Sequence, residues 1–131
     1  MNEQDFIDRI TFHRDQDIVE IDVSDVSFKG VRETDLFHDV LDRVISETGR
    51  TWYFISSFVN CTISPGAALQ FSIRRAHAHD GLSRGAVRYG ASDEVNRAMM
   101  SLGSNPKAAV NSFASREEAF AKINEMKAIA A

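Results

Sequence analysis

Cysteine is nearly missing from this chain: Cys61 stands alone among 131 residues. No internal disulfide can form, and a lone thiol fits a reducing compartment. Long apolar runs are also lacking, so no membrane span is expected, since a span needs about 20 consecutive apolar residues. The opening MNEQDFIDR is acidic and polar, unlike a signal peptide. These features predict a cytoplasmic protein. Positive charge is in deficit, with 15 Lys and Arg against 19 Asp and Glu, a net charge of −4. Nucleic-acid backbones demand clustered cations, so no nucleic-acid partner is expected. G-x-G-x-x-G, P-loop and G-x-S-x-G signatures are absent, and no Cys/His set has metal-ligand spacing. The expectation is a protein that is not an enzyme and carries no cofactor or metal.

What is present is ample core material. Apolar residues make up 44% of the chain, and nine Phe outnumber one Trp and two Tyr. That is enough to fill one domain, 1–131, with a Phe-rich interior. Hydrophobic periodicity then places the elements. Ile10–Arg14 and Ile18–Val23 read as strands of an antiparallel hairpin, with Val19, Ile21 and Val23 on one face and Glu20 and Asp22 on the other. Glu33–Thr48 reads as a helix with the stripe Leu36, Phe37, Val40, Leu41, Val44, Ile45, stopped by Gly49. Trp52–Phe58 is apolar on both faces at its start, as expected of a central strand covered on both sides. A second helix is expected over Ser64–His79, with Ser64 as N-cap and Pro65 in the first turn. Gly81–Gly85 reads as a turn and Ala86–Tyr89 as a strand. Ser92 caps a helix with Val95, Ala98, Met99 and Leu102 inward, Gly103–Pro106 breaks the chain, and Val110–Phe113 reads as a last short strand. Ser115 and Glu118 form a capping box ahead of a helix with Phe120, Ile123 and Met126 inward. The order ββαβαβαβα predicts an α/β fold: a mixed sheet of four or five strands with helices mainly on one side.

That order, with IVEIDVSDVSF, TWYFISSFVNCTISPGAAL, GAVRYGASDEVNRAM and SFASREEAFAKINEM at its junctions, resembles the STAS domain of the anti-sigma-factor antagonists (SpoIIAA-like), a subgroup of mostly uncharacterised bacterial proteins. The resemblance implies a regulatory protein-binding module. Its partner would be an anti-sigma-factor or kinase-like regulatory protein. It also implies a phosphorylated Ser at the start of the helix after the central strand, which falls on Ser64, with Gly66 matching the family Gly. Ile63 stands where the family has an acidic residue, and Pro65 where it has a second hydroxyl residue. A small apolar-ligand or lipid carrier of CRAL-TRIO-like type is the alternative, since the folds are similar and the chain is rich in Phe.

The candidate partner surface is Asn60, Cys61, Thr62, Ser64 and Gly66, with the exposed face of the following helix. Ser64 reads either as a plain N-cap or as a switch, because phosphate suits the amides and dipole of a helix start. Cys61 reads as a packing residue before a nucleophile. Asn60-Cys61-Thr62 matches a glycosylation sequon, taken as chance in a cytoplasmic chain. His77 and His79 diverge on a helix and cannot easily share a metal. His13 sits in a strand and His38 on the polar side of the first long helix. Arg74 and Arg75 read as solvated helix charges, although either could grip an anion or an acidic partner. Asp35, Asp39 and Asp42 read as a solvated face. Phe54, Phe58, Phe71, Phe113 and Phe120 read as core before ligand lining. The edge of the N-terminal hairpin could pair with a second copy, giving a homodimer.

Overall fold

The computed structural model describes residues 1–99 and 111–130, apart from the side chain of His79. Its centre is a mixed five-stranded sheet in the order β1-β2-β4-β6-β7. The hairpin of β1 (Ile10–His13) and β2 (Ile18–Asp22) is antiparallel, joined by a short 3-10 turn at Arg14–Gln16. Asp17 closes that turn in the left-handed region, φ 58°. β4 (Trp52–Ser57), β6 (Ser83–Tyr89) and β7 (Ser112–Phe113) then add in parallel, starting from β2.

β4 is buried along its whole length. Strand alternation sends Trp52 and Phe54 to one face and Tyr53 and Ile55 to the other. The first face carries four helices: α1 (Glu3–Ile7), α2 (Val31–Ser46), α3 (Pro65–Leu82) and α4 (Asp93–Met99). The second carries α5 (Arg116–Ala130), which lays Ala119 and Ile123 on Tyr53, Ile55 and Val87. The larger core is built around a Phe cluster. Phe28 lies 5.4 Å from Phe37 and 5.0 Å from Phe71, ring centre to ring centre. Such offset and edge-on pairs add specificity to the burial of large apolar area.

Several elements differ from the expectations. The acidic start is helical: Asn2 and Asp5 make a reciprocal capping box, and Phe6 is buried against Phe28 and Phe37. One turn of helix has too few residues to show a period, so this was illegible in the sequence. α2 begins at Val31 and buries Thr34 and His38 besides its apolar stripe. The expected turn at Gly81–Gly85 does not form; α3 continues to Leu82 and β6 starts at Ser83. Ladder pairing with β4 from Trp52↔Ser83 onward overrides the local preference of glycine. Gly85 is instead needed for close approach: a Cβ there would lie 3.2 Å from the Tyr53 ring and 3.1 Å from Met126 Sδ. Leu102, the break at Gly103–Pro106 and Val110 lie outside the described residues. The hairpin strand β1 is an edge of the sheet.

Candidate functional site

At the carboxyl ends of β2 and β4 the chain makes two loops that are tied into one structure. β3 (Ser27–Phe28) and β5 (Thr62–Ile63) pair in parallel as a separate two-stranded sheet. Asp25 and Asn60 both take left-handed backbone, φ 63° and 55°, a conformation Asn and Asp tolerate better than most residues. Asn60 Nδ2 donates to Asp25 Oδ1 at 2.7 Å, and the Ser27 and Thr62 hydroxyls meet at 2.7 Å. Gly90 seals the base of this junction. Its φ is +72°, and a Cβ would fall 2.4 Å from Val59 Cγ2. The segment between β4 and α3 is therefore a hydrogen-bonded platform.

The candidate residues divide on that platform. Asn60, Thr62 and Gly66 are exposed, whereas Cys61 and Ile63 point down into the core. Burial pushes the Cys61 thiol up to about 12, so it stays protonated at neutral pH and is no nucleophile. Ser64 starts α3 in an unexpected way. Its backbone carbonyl accepts from Ala67 and Ala68, while its hydroxyl donates to the Lys29 carbonyl at 2.6 Å. The side chain thus staples the start of α3 to the loop that leads into α2.

α2 and α3 run side by side. Asp35 accepts from Gln70 and Arg74, and Asp39 and Asp42 accept from Arg74 further along. Arg74 is no solvated charge but the centre of three carboxylates at 2.7–3.2 Å. The Asp triplet lies on the outer side of α2, as expected, with Asp39 exposed, but all three carboxylates are engaged by Arg74. The bond from Gln70, ahead of that from Arg74, holds the Asp35 carboxyl below its ordinary range. Arg75 is also no solvated charge: it is 4% exposed and lies under α3. Successive helical residues differ by about 100°, so one neighbour faces α2 and the next the sheet. The signal was present, since Phe71 plus one turn gives position 75. His38 is likewise buried, not polar-side: Nδ1 meets the Thr34 carbonyl at 2.7 Å. His13 bonds Glu20 at 2.8 Å. His77 is exposed. Among the described residues no group of His, Cys, Asp or Glu could hold a metal ion. Phe54, Phe58 and Phe71 belong to the main core, and Phe113 and Phe120 flank the smaller one.

The outward face of α3, expected to belong to the partner surface, proves to be apolar, which the sequence had not singled out. Leu69 is 55% exposed and Ile73 44%, one turn apart, with exposed Gly66 before them and Ala76 after. The opposite stripe of Ala67, Phe71, Arg75 and Ala78 is buried. α3 thus carries more apolar residues than one buried stripe requires, and that surplus was the available signal. A cavity of about 500 Å³ opens beside the junction, with Asp25, Ser57, Val59 and Tyr89 among its lining residues. Arg9 braces one wall through bonds to the Asp22 and Ser24 carbonyls. No model of a known protein family matches the chain, and a search of curated proteins finds no significant match. No helix of the described residues is long and apolar enough to cross a membrane.

Proposed function

We propose that this protein is a non-enzymatic, protein-binding regulator of the STAS-like, anti-sigma-antagonist kind. It engages a regulatory protein through the junction Asn60–Gly66 and the outward stripe of α3. The carrying observation is the exposure of Leu69 and Ile73 on a helix whose other face is already buried. An unburied apolar stripe beside a rigid polar platform has the make-up of an interface centre with its rim. The mixed sheet, with its helices mainly on one face, supports the STAS-like reading.

Ser64 is the natural switch of such a surface. A phosphorylated Oγ can no longer donate to the Lys29 carbonyl, and it brings about −1.5 to −2 charges against that oxygen. The staple between the two helix starts would then open, and the platform would lose its shape. The acidic residue that Ile63 replaces is not required for this physical effect, although it bears on which kinase acts. The three described cavities open at the surface, and the Phe cluster is packed ring against ring. The packing of the Phe cluster supports partner binding over carriage of an apolar ligand.

The test joins phosphosite mapping of the protein from its native host with affinity capture by wild type, by Leu69→Asp/Ile73→Asp and by Ser64→Asp. The expected result is a defined partner that wild type retains and both variants lose, with melting temperatures close to wild type for the α3 variant. Equal capture by all three proteins, or no partner at all, would refute the proposal.

A further inference from the structure

Two buried arginines lie between the sheet and the helix layer, Arg75 at 4% and Arg88 at 6% exposure. Arg88 on β6 stands opposite Ser56 of β4 and Ser112 of β7, near the carboxyl ends of those parallel strands. Arg75 reaches the same place from α3, where its Nη2 donates to Ser56 Oγ at 2.5 Å. Arg88 Nε donates to Asn96 Oδ1 at 2.7 Å, and that oxygen also accepts from Ser112 at 3.2 Å. Every one of these partners is neutral.

Among the described residues the side-chain partners of the two guanidinium groups are Ser56 and Asn96, not carboxylates, and residues 100–110 contain no Asp or Glu. Arg75 Nε and Nη1 and Arg88 Nη2 are buried without a hydrogen bond among the described residues. Burial first, and then the Arg88 charge, push the Arg75 guanidinium down to about 10, so it remains a cation at neutral pH. The Phe54 and Phe58 rings lie 6.0 and 5.9 Å from it, at the outer limit of useful cation–π attraction. Arg74, its neighbour in sequence, has three carboxylates. A buried pair of like charges with unused donors is costly, and an unsatisfied buried group calls for an absent partner.

We propose that Arg75 and Arg88, framed by Ser56, Asn96 and Ser112, form an enclosed binding site for a small inorganic oxyanion of the phosphate or sulfate type. Guanidinium donors suit such oxygens, and the ends of parallel strands are where α/β sheets present ligands. The free nitrogens have no contact with solvent, so entry requires the packing around them to open. The site therefore takes the free anion and excludes a bulky ester. This inference is independent of the partner surface on α3.

The experiment is thermal unfolding and calorimetric titration of the full chain with inorganic phosphate, against chloride at constant ionic strength, with phenyl phosphate in parallel. Wild type should melt at rising temperature as phosphate increases, and Arg75→Met and Arg88→Met should bind it at least tenfold more weakly. In chloride alone, Arg75→Met should melt at or above wild type, because an isolated buried charge has been removed. No rise beyond the chloride control would overturn the proposal. A rise that persists in both variants, or phenyl phosphate binding as tightly as phosphate, would do the same. If the variants do not fold, amide NMR of the wild type decides. Phosphate-induced shifts centred on Ser56, Arg88, Asn96 and Ser112 support the site, and shifts elsewhere or none overturn it.

Discussion

Acid should destabilise this protein, and His38 should contribute the part that falls between pH 6.5 and 5. Its ring is fully buried, edge-on to Phe37 and Phe71 at 4.8 Å each, with Nδ1 on the Thr34 carbonyl and Nε2 unpartnered. Burial foremost pulls its pKa from an ordinary 6.5 to about 3; Arg75 and Arg74 add to this, while the Thr34 bond and the Asp35 charge oppose it. The folded protein therefore keeps His38 neutral, and the unfolded chain takes up the proton as pH falls below 6.5. Stability is complete above that value and declines below it, by about 1.4 kcal/mol per pH unit until the folded-state pKa is reached. At pH 5 the loss amounts to about 2 kcal/mol, a large part of a typical domain's margin. The assay is urea unfolding of wild type and His38→Leu at pH 7, 6 and 5. Whatever the variant does to stability at pH 7, the wild-type minus variant difference should shift by about 2 kcal/mol between pH 7 and 5. A contribution common to both proteins, such as the lowered Glu20 carboxyl, cancels in that difference. Parallel pH profiles would show that His38 titrates normally and that its burial argument is wrong.

Gly90→Ala should lower stability by about 2 kcal/mol or more, from left-handed backbone strain plus the clash with Val59, as read from denaturant midpoints; a loss below about 0.5 kcal/mol would mean the junction is looser than described. Cys61 should resist iodoacetamide at pH 8 in the folded protein and react at once in denaturant, because it is buried and protonated. Rapid labelling of the native state would show that the platform opens readily.

The sequence by itself determined the regular elements whose signal is local. Periodicity in α2, the two-faced apolar run of β4, and the Ser115 capping that opens α5 are each contained within a few neighbouring residues, and each element formed close to its expected limits. The candidate surface was legible in part: Asn60, Thr62 and Gly66 are exposed where the junction was expected, and α3 follows them. Only the tertiary structure decided the rest. The pairing of Ser27–Phe28 with Thr62–Ile63 joins residues 35 apart, and no local pattern marks such short strands. The Ser64 hydroxyl was diverted from its own helix because Lys29, equally remote in sequence, presents a carbonyl there. Arg74 and Arg75 are chemically identical neighbours, yet one meets three carboxylates and the other is sealed beneath the helix. Their environments were set when α3 docked beside α2 and onto the sheet, since burial and charge pairing are properties of the packed assembly rather than of the residue.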